Sequence, residues 1–135
     1  MSRYTIGVDF GTASGRAAVV DVKTGIELAD SVFEYPHGVM DSQLPDGTPL
    51  GFDWALQHPQ DYLDVLYHTI PDVMNSSGVS PDDVIGIGID FTSCTLVPAK
   101  ADGTPLCFDE AFKYNKHAYA KLWKHMGADK YAPRI

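Results

Sequence analysis

Residues Tyr4 to Asp21 constrain this chain more than any other stretch. Two short apolar runs, Tyr4 to Phe10 and Ala17 to Val20, flank a turn built from Gly11, Thr12, Ala13, Ser14 and Gly15. β-Branched residues on both sides of a Gly/Ser turn predict a β-hairpin. Alternation puts Tyr4, Ile6, Val8 and Phe10 on one face of the first strand and Thr5, Gly7 and Asp9 on the other. A carboxylate therefore emerges beside the turn, at the end of an otherwise apolar strand. Burying it unpaired is costly, so Asp9 has to meet a cation, N–H donors or water.

Two readings of the turn are open. In the first it clamps a nucleotide phosphate. Gly11 and Gly15 let the backbone approach a ligand closely, Thr12 and Ser14 offer hydroxyl donors, and Arg16 adds positive charge. Asp9 then faces a magnesium shell through water. In the second, Asp9 caps its own turn in an ordinary hairpin, and glycine-rich turns are common enough to keep that reading alive. Other phosphate loops fit poorly. A Walker loop places Lys and then Ser or Thr after its last glycine, whereas Arg16 and Ala17 follow Gly15. The dinucleotide pattern opens a helix, whereas this turn leads into a second apolar strand.

At 135 residues the chain is a single domain by length, with room for a core. An apolar fraction of 44% argues for a globular protein. The net charge of −8 disfavours broad attraction to nucleic acid or an anionic membrane, while leaving room for a local phosphate site. Cys94 and Cys107 form neither a disulfide framework nor a metal-ligand spacing. Met1-Ser2-Arg3 passes straight into a strand and no apolar run is long enough to span a membrane, so a reduced, cytoplasmic setting is expected.

Further along, Asp21 to Gly25 reads as a hairpin turn into a third strand, Ile26 to Tyr35. From Pro36 to His58 the chain is a Pro/Gly/Asp-rich excursion with little predicted structure, a kind of segment that is usually functional or mobile. His37 and His58 lack companion ligand spacing and read as loop histidines. Pro59 to Ser77 reads as a helix, with Tyr62, Leu63, Leu66, Ile70, Val73 and Met74 at helical spacing, Gly78 at its end and a kink or break expected at Pro71. Ser80 and Pro81 look like an N-cap and N1 pair.

Val84 to Phe91 is the next strand, and it contains an echo. Ile87-Gly88-Ile89-Asp90-Phe91-Thr92-Ser93 resembles Ile6-Gly7-Val8-Asp9-Phe10-Gly11-Thr12, and a further strand, Thr95 to Ala99, is expected after it. Two strand ends, each carrying a carboxylate, would then open on one cleft. Asp90 is read first as an anchor for the following turn and second as a ligand contact. Asn115 can cap a last helix, Lys116 to Met126, with Ala118, Tyr119, Leu122, Trp123 and Met126 on its packed side and Lys124 and His125 solvated. The element order gives an α/β chain with a mixed sheet and flanking helices.

Together these motifs resemble the N-terminal portion of the FGGY carbohydrate kinases, members of the actin/hexokinase/Hsp70 superfamily with its ribonuclease-H-like core. Ile6 to Thr12 looks like the family's first phosphate motif. Tyr35-Pro36-His37-Gly38-Val39, Ala55 to Tyr62, Gly86 to Thr92 and Leu122-Trp123-Lys124-His125 resemble the bacterial members that act on ribulose. The resemblance implies ATP-dependent phosphorylation of L-ribulose at its 5-hydroxyl. It also implies Asp9 at a Mg2+–phosphate centre, with Gly11, Thr12 and Ser14 facing the phosphates. The sugar would be contacted by Thr92, Ser93 and Cys94, with Trp123 lining its side. Many sugar kinases carry Asp or Arg soon after that Trp, where this chain has Lys124-His125.

Such kinases have two lobes, and 135 residues make about a quarter of one. Residues 1–126 are therefore expected to be the N-terminal part of lobe I, with 127–135 a tail. The catalytic base, adenosine pocket and second phosphate loop would lie downstream, in a C-terminal lobe that is the chain's missing partner. Homo-oligomerisation stays open. Two other functional classes remain, an actin- or Hsp70-like nucleotide switch and a two-metal nuclease using Asp9 and Asp90.

Overall fold

A computed structural model describes residues 2–129. In chain order the elements are β1 (Tyr4–Phe10), β2 (Ser14–Asp21), β3 (Glu27–Glu34), β4 (Leu56–Gln57), α1 (Pro59–Ser77), β5 (Val84–Phe91) and β6 (Ala120–Lys121). Where length predicts one domain, the chain forms two compact units. The first joins Met1–Pro36 to Gln60–Phe91, and the second joins His37–Pro59 to the segment that starts at Thr92.

The first unit is a four-stranded mixed sheet in the order β3-β2-β1-β5, with β1–β2 and β2–β3 antiparallel and β1–β5 parallel. The β2–β3 turn follows from its residues. Asp21 Oδ1 accepts from the N–H groups of Lys23 (2.8 Å) and Thr24 (2.9 Å), which holds its carboxyl below the usual range, and Gly25 takes φ 71°. Ile6, Val8, Ala17 and Val19 turn to one face and pack with Val65 and Val73 of α1.

Gly15 is fixed by that packing. A Cβ built on it would lie 2.5 Å from Val65 Cγ2 and 2.7 Å from Cγ1, so the helix sits where a side chain would be. Val65 is fully buried there, worth about 1.5–3 kcal/mol of apolar transfer. The buried line of α1 runs Asp61, Val65, Thr69, Val73, one residue per turn. Leu63, expected inside, is exposed. The helix also runs through Pro71 without the expected break. Pro71 and Tyr67 are both exposed, so water can take the Tyr67 carbonyl that Pro71 has no N–H to serve. Gly78 ends the helix as predicted, at φ 66°, its N–H donating to Met74 O at 3.2 Å. Ser80 makes no side-chain cap; only the Pro81 part of that expectation holds.

Strand β5 forms as expected but is exposed over nearly all its length. Ile87, Ile89 and Phe91 stand in register with Ile6, Val8 and Phe10, on the sheet face that α1 covers elsewhere, and each is more than half exposed. This apolar edge remains open.

The second unit has its own core of Met40, Leu44, Leu56, Cys107, Ala118 and Tyr119. The excursion from Pro36 to His58 is thus part of a packed unit. Two Asp-Gly-Thr-Pro turns shape it. Thr48 N–H donates to Asp46 Oδ1 and Thr104 N–H to Asp102 Oδ1, with Gly47 and Gly103 at φ 86° and 88°. Strand β4 pairs antiparallel with β6, and single bridges join Met40 to Leu56 and Leu96 to Lys121. Burial of the Cys107 thiol pushes its pKa up to about 11.

Two predicted elements fail here. The helix from Lys116 to Met126 is a single turn, Lys116–Ala118, followed by β6. Asn115 does cap it, accepting from His117 N–H at 3.0 Å. The helix then stops because β4 pairs with Ala120 and Lys121 and draws the chain into an extended segment. Trp123 and Met126, expected to pack, are more than half exposed. The strand from Thr95 to Ala99 is reduced to bridges at Leu96 and Ala99, since Pro98 between them has no N–H for a ladder. Most of the expected tail, residues 130–135, lies outside the described residues.

Replacing Gly15 by Ala should cost about 1–3 kcal/mol in urea unfolding, because the stiff Val65 side chain cannot swing clear. Adding Val65→Ala should recover part of that loss, so the double variant should be less unstable than the sum of the singles.

Candidate functional site

The face of the first unit opposite α1 carries the predicted charged residues. Antiparallel register sets Asp9 against Arg16, and parallel register sets Asp9 against Asp90. Residues paired across a sheet share a face, so Arg16, Asp9 and Asp90 form one row over three strands. The next row two residues back is Ala18, Gly7 and Gly88. A Cβ on either glycine would meet nothing within 4 Å, so neither is a glycine because this chain's packing demands it. The result is an open groove with a backbone floor and charged groups at one end.

The charges within the row differ in partnership. Arg16 makes ion pairs with Glu27 (3.2 Å) and Asp30 (3.1 Å) of β3, all half-exposed. Asp90 Oδ1 accepts from the N–H of Phe91 at 2.8 Å, a bond within β5 and not to the turn that Asp90 was expected to anchor. Among the described residues, the Asp9 side chain makes neither a hydrogen bond nor an ion pair. Like charges directly opposite on neighbouring strands destabilise a sheet, so the Asp9–Asp90 pair leaves a demand for a cation in the groove.

The turn from Gly11 to Ser14 closes with Gly11 N–H donating to Ser14 O at 2.9 Å, and Tyr35 N–H donates to Ala13 O at 2.9 Å. A Cβ on Gly11 would come 3.0 Å from that same carbonyl, which is why the turn needs glycine there. Thr12 and Ser14 are partly exposed on the turn beside Asp9. Gly15 differs from Gly11, since the side where its Cβ would stand is filled by Val65.

The predicted sugar-side residues all belong to the second unit. Thr92 Oγ1 lies 2.9 Å from Thr95 Oγ1, Ser93 is exposed, and Cys94 is exposed with φ 62°, an uncommon value for a non-glycine residue. Antiparallel pairing of Leu96 with Lys121 runs the residues before Leu96 beside those after Lys121. The Thr92–Cys94 turn and Trp123 are thereby brought to the same end of that pair.

Sequence reasoning missed two features. Asp61, read only as a helix-end charge, is fully buried in the first turn of α1, while Tyr35 and Tyr62 meet edge-to-face at 5.9 Å. The Tyr35 hydroxyl is buried without a hydrogen-bond partner, and burial, then Tyr62, Asp9 and Asp61, push its pKa well up. An orphaned buried donor has no signature in a linear sequence. The second feature is His125, expected in solvent but in fact accepting a hydrogen bond from the N–H of Ala55. His37 and His58 stack at 4.2 Å. Among the described residues, no cluster of three or more His, Cys, Asp or Glu is placed to hold a metal by itself, and no helix is long and apolar enough to cross a membrane.

Comparison with known proteins gives these features a context. No protein-family model matches the chain. A ribulokinase from Halalkalibacterium halodurans is 53% identical over 135 residues, covering 99% of this chain and 24% of that protein. One from Geobacillus thermodenitrificans is 54% identical over 127 residues, covering 93% and 22%. The chain therefore spans about a quarter of the length of the curated relatives it matches. Among solved structures, a xylulose kinase from Brucella ovis superposes with a TM-score of 0.74 at 15% identity, over 98% of this chain and 23% of that one. A gluconate kinase from Lactobacillus acidophilus gives 0.71 at 16% identity, over 99% and 22%. By sequence the chain is similar to ribulokinases along about a quarter of their length, and its fold superposes on part of the solved xylulose and gluconate kinases.

Proposed function

We propose that this chain is the N-terminal part of an ATP-dependent kinase that phosphorylates L-ribulose to L-ribulose 5-phosphate. The observation that carries the reading is identity above 50% to two ribulokinases along nearly the whole chain. The geometry of the first unit supports it. Asp9 and Asp90 side by side supply two carboxylates, and Mg2+ is satisfied by one or two carboxylates with phosphate oxygens and waters making up the rest. The residues thus fit the ion, with Asp9 the nearer to the turn. When bound, the metal would neutralise charge on the transferring phosphates.

In this reading the backbone at Gly11 and the hydroxyls of Thr12 and Ser14 orient the phosphates of ATP. The side-chain-free floor at Gly7 and Gly88 lets the nucleotide lie against the sheet. Gly15 serves the turn chiefly by letting α1 close on it. Arg16 adds positive charge through a side chain already held by β3, so its share in phosphate binding is the smaller one. In the second unit, Thr92, Ser93 and Cys94 meet the pentulose and Trp123 lines its side. The catalytic base and the adenosine pocket would come from the remainder of the enzyme.

A two-metal nuclease would use the same Asp9–Asp90 pair, but a chain of net charge −8 gives a polyanionic substrate little to hold. A nucleotide switch would hydrolyse ATP without regard to sugar.

Two outcomes are expected. The 135-residue chain alone should release no ADP above background when given Mg·ATP and ribulose, since positioning and charge neutralisation need the whole cleft. In a full-length enzyme carrying this segment, Asp9→Asn should lower kcat by about 100- to 1,000-fold, the usual loss on removing a group that stabilises transition-state charge. KM for ribulose should change much less. ATP hydrolysis that ignores ribulose in the unaltered enzyme would point to the switch instead.

A further inference from the structure

Trp123 occupies a corner of a tight turn that one histidine fastens. Leu122 to His125 is closed by His125 N–H donating to Leu122 O at 2.8 Å, which leaves Trp123 and Lys124 at the two central positions. The turn is tied to the segment at Asp53–Ala55 by three further bonds. Leu122 N–H donates to Ala55 O at 3.0 Å, Met126 N–H donates to Asp53 O at 2.9 Å, and Ala55 N–H donates to His125 Nδ1 at 3.2 Å. Ala55 is thus gripped at both its carbonyl and its amide.

The imidazole is held from several sides. Its ring meets Trp54 edge-to-face at 4.7 Å, and a Cβ on Gly127 would lie 2.6 Å from its Nε2. A side chain at residue 127 would therefore evict the ring. An Nδ1 that accepts a hydrogen bond cannot carry a proton, so the bonded form is neutral with its proton on Nε2.

We propose that neutral His125 is a positioning residue that sets the Trp123 turn through Ala55, and that its protonation releases the turn. Any effect on ribulose binding rests on the role proposed for Trp123; the latch itself does not.

The surroundings agree. Lys121 of β6 and His117 of the preceding turn oppose a second positive charge. Lys116 sits 4.2 Å over the Trp54 ring, and Lys124 immediately precedes His125 in the chain. The carboxylates are Asp53 on the facing segment and Asp129 on the imidazole's own segment, and both border the same hollow as Trp54 and Gly127. Burial first, then Lys121 and His117, hold the His125 pKa below its usual 6.5. A depressed histidine stabilises the folded form fully above the unfolded pKa, and that contribution is lost as pH falls through the folded value. The latch is therefore closed at neutral pH and opens on the acid side of 6.5.

The test is 15N-resolved NMR of the chain between pH 8 and pH 5, with His125→Asn and His125→Phe alongside. Asn places an oxygen near Nδ1 and accepts without titrating, whereas Phe keeps the ring and cannot accept. In the unaltered chain the Nε2–H tautomer is expected, and the Ala55 amide and Trp123 indole signals should move together with a midpoint below 6.5. His125→Asn should hold both signals at their neutral-pH positions throughout. His125→Phe should displace them at every pH. An Nδ1–H tautomer, or a pH response of Ala55 that survives in His125→Asn, overturns the latch. In a full-length enzyme, acidification through the midpoint seen by NMR should raise KM for ribulose about 5-fold, the factor one hydrogen bond is worth, and His125→Asn should abolish that rise. A latch seen by NMR with an unmoved KM supports the latch and removes Trp123 from the sugar site.

Discussion

The seating of α1 on one face of the β1–β2 hairpin governs what the other face can do. Val65 fills the space that a side chain at Gly15 would take, and Ile6, Val8, Ala17 and Val19 close around it. Strand alternation then leaves no choice for the intervening residues. Asp9, Arg16 and the bare backbone at Gly7 must face away from the helix, because a shift of one residue would bury the acid and expose the valines. The polarity of the groove is therefore a consequence of an apolar contact behind it.

That groove concentrates a tension the sheet does not relieve by itself. Antiparallel neighbours usually offset charge, and Arg16 stands beside Asp9 in register; yet its guanidinium is drawn towards Glu27 and Asp30 on the far strand. On the other side the parallel neighbour of Asp9 is a second aspartate. At sheet spacing, roughly 4.8 Å between strands, water screens the pair while the groove is open. Any ligand that expels the water must bring positive charge with it. A phosphate chain alone would make matters worse, whereas a phosphate chain with a divalent cation would not.

The parts of the fold visible in the sequence are those whose signals are local and periodic. Alternation in Tyr4–Phe10 and Val84–Phe91, the Asp21–Gly25 turn and the proline and glycine bracketing α1 each act within a few residues. The repeated Ile-Gly-hydrophobic-Asp-Phe run suggested two strand ends carrying carboxylates, and parallel pairing of these similar strands sets Asp9 opposite Asp90. What stayed hidden was set by distant partners. Residues 116–126 have apolar spacing that suits a helix, but β4 captures Ala120 and Lys121 from some 64 residues upstream. No count of periodicity within the segment could reveal that competitor. Likewise nothing in Gly15 distinguishes a glycine kept for a ligand from one kept for a helix.

The second unit carries this dependence furthest. Its core is assembled from two stretches that lack long helices or strands, so its order rests on turns and single bridges instead of ladders. In such a structure each side-chain-to-backbone bond holds a larger share of the geometry than it would beside a regular helix. Asp46 and Asp102 fix their turns through carboxylates that keep their charge well into acid, since hydrogen bonds from Thr48 and Thr104 hold both below the usual range. The corresponding bond at Ala55 uses an imidazole. Mild acid leaves the carboxylates at Asp46 and Asp102 charged, whereas it can protonate the imidazole that holds the turn bearing Trp123.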